Sequence, residues 1–424
     1  MRSRFAIAIA VVALGVPHAA SAHVTAESAA PTGPDQVDIV LSSPAESAFL
    51  SATGGTVERR PDDHYRLTVR PARSTVEIRV LSRDGHVTRI HLDERTAAAK
   101  VSTTWQRDPL VAILGRLLVL CALIAIVGSV AVARWIILPA NRRPLRPLGQ
   151  ADAVADERTA VQLTRAVRSI WTIAAAAGAL GLVMSVAAVL HRLTSADLPG
   201  LLADTRTGHA TVVIAVAFAC CGIVAQRGAF HVERPSVMVG ATASAIALVA
   251  ISAAGHATAG RDALLGGVFD AAHLLATAIW IGGLIVLLAV WKTLRHTREV
   301  DTAAVGRLGA IVVRFSGVAV ACVSTLAVTG TYRALAELGS FGDLVHTPYG
   351  RALAVKLVLF ALLLGVGSVN RFIVHPRLER AGIGLCDTDR GAVDLLGPTV
   401  RIELCLAAAV MVAVAVMIGF PPPA

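Results

Sequence analysis

The sequence predicts an all-α polytopic membrane helix bundle of eight spans, with a small N-terminal β-sandwich domain outside the membrane. Three observations carry that expectation. The 424 residues are 55% hydrophobic and only 16% charged, with a mean hydropathy of +0.67. A series of long apolar runs follows residue 109. Ahead of them lies a polar segment with period-2 alternation and no run of spanning length. This composition excludes a disordered chain and an ordinary cytosolic enzyme. The net charge of +10, from 39 Lys+Arg against 29 Asp+Glu, belongs in the cytoplasmic loops of a membrane protein and does not call for nucleic acid.

The chain opens with the basic stretch Met1-Arg2-Ser3-Arg4, followed by an apolar run from Phe5 to Val16. That run is short for a bilayer. Ala20-Ser21-Ala22 supplies the small-x-small pattern that signal peptidase reads, so residues 1–22 are expected to be a secretory signal peptide. Cleavage after Ala22 makes His23 the first mature residue. Its α-amine and imidazole then form a chelating pair. The first of the six cysteines is Cys121, so the exported segment has no disulfide to lean on.

Residues 23–108 are expected to form the outer domain. Tyr65-Arg66-Leu67-Thr68-Val69 and Val76-Glu77-Ile78-Arg79-Val80 alternate polar and apolar, and Val87 to Leu92 does so more weakly. Such alternation with β-branched residues reads as half-buried strands. Gly54-Gly55, Pro61-Asp62-Asp63 and Asp84-Gly85 are turn signals between them. In Asp84-Gly85-His86 a tight turn lets a carboxylate and an imidazole converge.

Residues 109–424 are expected to form the membrane domain. The runs are Leu110–Leu138, Ile170–Leu190, Ala210–Ala225, Pro235–Ala254, Val268–Val290, Ile311–Ala334, Ala352–Val369 and Ile402–Phe420, each able to cross the hydrocarbon core. With the mature N-terminus outside, connections 139–169, 226–234, 291–310 and 370–401 are cytoplasmic and hold seventeen Lys and Arg. The outer connections hold four: Arg192, Arg206, Arg261 and Arg351. The positive-inside rule therefore agrees with the signal peptide, and both mature termini are expected outside the cytoplasm.

This topology sorts the histidines. His191, His209, His256, His273 and His346 fall at outer helix ends or outer loops, while His231, His296 and His375 fall inside, in loops. Asp270 and His273 share one helix face at i,i+3, with Trp280 two turns further along. An Asp within a span is costly to bury and marks a functional candidate. It is expected to orient the His273 ring, leaving the other nitrogen for a metal.

The start at His23 and the segment Val76 to His86 resemble the CopC family of periplasmic copper-binding β-sandwiches. The resemblance implies Cu(II) held by His23 through amine and ring, by Asp84 and by His86. Such N,O ligation suits tetragonal Cu(II). Asp270-x-x-His273 with Trp280-Ile281-Gly282-Gly283-Leu284 resembles the CopD copper-resistance membrane family. So do Arg314-Phe315-Ser316, Thr329-Gly330-Thr331-Tyr332, Thr347-Pro348-Tyr349-Gly350-Arg351 with Lys356, Asn370-Arg371, and the late Glu403. The whole then looks like a CopC–CopD fusion. This implies a non-enzymatic protein that captures copper outside and takes it up or transfers it across the inner or plasma membrane, with membrane metal residues His256, Asp270 and His273. The implied partners are copper ions, the lipid bilayer and other copper-handling proteins. Cys121, Cys220, Cys221 and Cys322 lie near mid-depth and are a further soft-ligand option, against the reading of free Cys as a small buried apolar residue.

Two other functions stand beside this one. A haem-binding membrane oxidoreductase needs His pairs at matching depth on facing helices, whereas the inner histidines are expected in loops. A copper sensor or assembly scaffold would use the outer domain without transport. No G-x-x-x-x-G-K-[ST] motif supports an intrinsic ATP-driven pump.

The charge count generates a direct test. A reporter active only in the cytoplasm is expected to work when fused within 141–168 or 291–310, and to be silent after residue 108 or at Ala424. Activity at Ala424 would break the eight-span topology.

Overall fold

The computed structural model describes the strand residues between 26 and 105. Between 110 and 417 it describes the helices together with part of their connections. His23, Asp84, His86, His191 and His256 lie outside the described residues, as do residues 1–22.

The described N-terminal strands form two four-stranded antiparallel sheets, ordered β1-β2-β5-β4 and β3-β6-β7-β8. Their ranges are β1 Ala26–Gly33, β2 Gln36–Leu41, β3 Ser47–Ala52, β4 Gly55–Arg59, β5 Tyr65–Val69, β6 Thr75–Ser82, β7 Val87–Asp93 and β8 Ser102–Trp105. The strands expected from alternation coincide with β5, β6 and β7. Pro31 lies in β1, an edge strand of its sheet, where a residue without an N–H is tolerated. β6 and β7 pair through Leu81↔Val87, Val80↔Thr88 and onward to Thr75↔Asp93.

All eight expected apolar runs are helices long and apolar enough to cross a membrane. They are α1 (Leu110–Val132), α2 (Gln150–Leu190), α3 (Arg206–Gln226), α4 (Pro235–Ala254), α5 (Ala263–Arg295), α6 (Thr302–Glu337), α7 (Pro348–Val369) and α8 (Arg390–Met417). α1 ends in a π turn, Ala133–Ile137, and α7 continues through another, Asn370–Val374, into His375–Gly382. Several helices outrun their apolar cores. α2 starts twenty residues before Ile170, and α8 twelve before Ile402. Hydropathy finds the lipid-immersed part of a helix, while backbone hydrogen bonding carries the helix on into water.

α1 and α5 form the centre of the bundle. α1 packs on α2, α4, α5 and α8, and α5 on α1, α2, α4, α6 and α8. More than half of the apolar window of each is buried (56%), against 11% for α7. Lipid tails are as apolar as Leu, so close van der Waals packing rather than water exclusion holds such helices together. Gly128 of α1 and Gly282 of α5 supply it. A Cβ on Gly282 would stand 2.6 Å from the Gly128 Cα, and one on Gly128 would overlap the Ala278 carbonyl oxygen.

Two fully buried tryptophans tie the outer helices to this centre. Trp171 of α2 donates Nε1–H to the Cys221 carbonyl of α3 (3.0 Å). Trp291 of α5 donates to the Val393 carbonyl of α8 (2.7 Å), with the Arg401 guanidinium 5.0 Å above its ring. A buried indole N–H needs such a partner.

The stretch Thr347-Pro348-Tyr349-Gly350 has an architectural explanation. Thr347 is the N-cap of α7, accepting from the Gly350 N–H at 2.9 Å, and Pro348 follows in the first turn, where its missing N–H costs nothing. Tyr349 is buried against Met417 and Leu353. Gly350 lies on the Asp343 carbonyl so closely that a Cβ would overlap it.

Substituting Gly128 or Gly282 by Leu should therefore lower the thermal stability of the detergent-solubilised protein, by about 1–3 kcal/mol or more from overpacking. Gly317→Ala, where a Cβ meets nothing within 4 Å, should be neutral or stabilise by up to about 1 kcal/mol through helix propensity.

Candidate functional site

Asp270 and His273 lie two and three turns into α5, and Thr329 and Arg333 lie near the end of the antiparallel α6. An i,i+3 pair on one helix thus faces an i,i+4 pair on the other. Asp270 is 6% exposed and forms an ion pair with Arg333. His273 Nδ1 lies 2.9 Å from Thr329 Oγ1. The aromatic rings of Phe269 and Tyr332 stack beside them, with centroids 4.5 Å apart. α4 joins the same end, since the Ser252 hydroxyl donates to the Gly267 carbonyl of α5 at 3.1 Å.

The hydrogen bonds fix the chemistry of the imidazole. The Thr329 hydroxyl has one proton and lies 2.7 Å from the Thr325 carbonyl one turn back. With that proton donated to the carbonyl, Thr329 Oγ1 accepts from Nδ1–H of His273. We assign that tautomer from the Thr329 contact. Thr329 meets the His273 ring at Nδ1, and Asp270 forms an ion pair with Arg333, so the buried carboxylate is compensated by a cation.

Thr329 and Arg333 were the residues that sequence reading missed as partners. Thr329 stood in a family-like motif without a role, and Arg333 lay inside an apolar run. The available signal was their i,i+4 spacing at the end of a span antiparallel to the one bearing Asp270 and His273.

Trp280 is buried two turns deeper and packs edge-on against Phe360 of α7, with centroids 6.2 Å apart. Of the glycines after it, Gly282 lies in the α1–α5 seam and Gly283 packs against Phe315 of α6. His209 is exposed, with Nε2 2.8 Å from the Ala203 carbonyl near the start of α3. His346 is exposed in a short helix, Asp343–His346.

His375 corrects an expectation. It is not in a loop: it lies in the helical extension of α7 and is 9% exposed. Its Nδ1 lies 3.3 Å from Arg371 and 4.0 Å from Glu379. Past the π turn the helix continues, carrying its polar residues against the start of α6.

The cysteines are spread out. Cys121 and Cys405 are exposed on the bundle surface, while Cys221 and Cys322 are buried. Cys221 Sγ lies 3.4 Å from Ser244 Oγ and 3.6 Å from the Gly240 carbonyl, serving as an interhelical contact. Among the described residues, no three His, Cys, Asp or Glu side chains come together as a metal cluster.

Fold and site define the class: a multi-pass membrane protein of eight candidate spans with a polar cluster near one end of its bundle. Residues 309–417, which take in most of α6 and all of α7 and α8, match the family described as Copper resistance protein D, CopD. The chain is similar to the Copper transport protein CutJ of Bacillus subtilis (strain 168), 28% identical over 180 residues, covering 42% of this chain and 29% of that protein. It is also similar to the Copper resistance protein D of Pseudomonas syringae pv. tomato, 29% identical over 120 residues, covering 26% of this chain and 36% of that protein. The matches thus span about a third of the length of these curated relatives. No solved structure matches.

Arg333→Ala should destabilise the protein by about 2–3 kcal/mol by orphaning Asp270. That is below the ~3–5 kcal/mol of a fully buried pair, because the Arg333 side chain is 30% exposed. Asp270→Asn combined with Arg333→Ala should recover most of the loss in a double-mutant unfolding cycle.

Proposed function

We propose that this protein binds copper and carries it across an inner or plasma membrane, receiving the ion at the end of the bundle that bears His273. The observation that carries this reading is the polar cluster where α5 and α6 meet. There a half-buried imidazole, in contact at Nδ1 with Thr329, lies one turn from the Asp270–Arg333 pair. The similarity of residues 309–417 to CopD and the two copper-named relatives supply the cargo.

In this reading His273 and His256 take copper at the entrance, and Asp270 offsets its charge as Arg333 swings away. The described end of α4 at Ala254, tied through Ser252 to Gly267, supports the choice of His256. Residues 23–108 are proposed as a CopC-like capture domain using His23, Asp84 and His86. Residues 109–424 are proposed as the CopD-like membrane domain, with both mature termini outside the cytoplasm. The signal-peptide pattern and the asymmetry of basic residues support that orientation.

His273→Ala should abolish copper accumulation by cells or proteoliposomes while leaving the folded protein in the membrane. Thr329→Val, which removes the Nδ1 partner, should reduce it by about 10–100-fold. The exposed His209 serves as the control. Equal accumulation by the His273→Ala protein would end this reading. An extra residue ahead of His23 in the purified chain should weaken Cu(II) binding, since the α-amine then leaves the chelating residue.

A further inference from the structure

The bundle buries a carboxyl that the His273 cluster does not use. Glu403 is 3% exposed; two residues before it on α8, Arg401 lies over Trp291, near the far end of α5 from His273, which places Glu403 toward that end. An ionisable side chain buried inside a span is costly and marks function by default.

Its surroundings are built from two helices. Glu403 Oε1 accepts from Asn370 Nδ2 at 2.6 Å, and Asn370 Oδ1 accepts from the Thr399 hydroxyl at 2.6 Å. Oε1 accepts a hydrogen bond whether the carboxyl is charged or neutral, so this chain serves both states. Oε2 remains as the atom that gains or loses the proton.

Several charged groups on the packed helices have other partners. On the α7 continuation, Arg371 meets His375, and His375 faces Glu379. On α8, Arg401 lies over Trp291. α5 and α1 also pack on α8; their charged residues are Lys292 and Arg295 near the end of α5 with Asp270 near its start, and Arg116 and Arg134 in α1 and its π turn. Among the described side chains, Glu403 has the Asn370 hydrogen bond and no ion pair. A permanently ionised carboxylate would sit there without a counter-charge, at large cost.

Both backbones are irregular at this level. Asn370 opens the π turn Asn370–Val374 of α7, and Pro398 interrupts α8 beside Thr399. π turns recur at functional sites, and a helix-interior Pro removes a backbone hydrogen bond and permits bending. The chain Thr399–Asn370–Glu403 therefore bridges two deformable turns.

We propose that Glu403, held by Asn370 and Thr399 between these two turns, is a reversible proton-binding site buried toward the end of the bundle that bears Trp291, whose proton is given up as a cation crosses. The O–H bond at Oε2 breaks, the proton leaves to water, and the carboxylate left behind offsets the passing charge. A proton returns to Oε2 once the cation has gone. The coupling rests on the transport reading above; the proton site itself does not.

Two readouts separate them. In pH-difference infrared spectra of the full chain in lipid, a protonated-carboxyl band should titrate. It should vanish in Glu403→Gln, which keeps the shape and the acceptor toward Asn370, and persist, shifted, in Glu403→Asp. Absence of the band, or its survival unchanged in Glu403→Gln, would overturn the proton site and show only a structural hydrogen bond. In proteoliposomes loaded with buffer and offered copper, accumulation by the unaltered chain should depend on pH, and Glu403→Gln should be slow and pH-independent. A pH dependence unchanged in Glu403→Gln would overturn the coupling. If the unaltered chain moves no copper, the transport reading and the coupling fail, and the infrared band still decides the proton site.

Discussion

Two helix backbones touch at the centre of this bundle, and the rest of the arrangement is set around that contact. Gly128 and Gly282 bring α1 and α5 closer than any Cβ would permit. In lipid, where apolar surface gains little by leaving its solvent, such close approach is the main source of helix association. With α1 and α5 fixed, the remaining helices pack around them, anchored by Trp171 and Trp291. The antiparallel α6 then lies against α5 with Thr329 and Arg333 level with His273 and Asp270.

The membrane makes each polar residue inside the bundle a matter of partners. Asp270 has Arg333, His273 has Thr329, and Glu403 has Asn370. The three pairs are not alike. The first joins opposite charges. The second fixes a ring at Nδ1. The third accommodates a carboxyl in either protonation state. The first two lie near one end of the bundle and the third toward the other.

Several motifs that look functional in the sequence are architectural in the fold. Within Trp280-Ile281-Gly282-Gly283, Trp280 packs on α7, Gly282 on α1 and Gly283 on α6, and Thr347-Pro348-Tyr349-Gly350 caps and seats α7. Resemblance to a family marks such stretches without saying whether they pack or react. The opposite error occurred at His375, placed in a loop because its neighbours are basic. The helix runs on through the π turn and buries it.

The sequence by itself determined the number of spans, their order and the strands β5 to β7, because these follow from local periodicity and from the cost of exposing backbone to lipid. It singled out Asp270 and His273, because an acid inside an apolar run is conspicuous on its own. Only the tertiary structure decided that Thr329, and not Asp270, binds the His273 ring at Nδ1, that Arg333 answers Asp270, and that Asn370 and Thr399 line up with Glu403. Those pairings depend on helix rotation and vertical register, which small residues such as Gly128 and Gly282 set through contacts 154 positions apart in the chain. No local pattern encodes that distance.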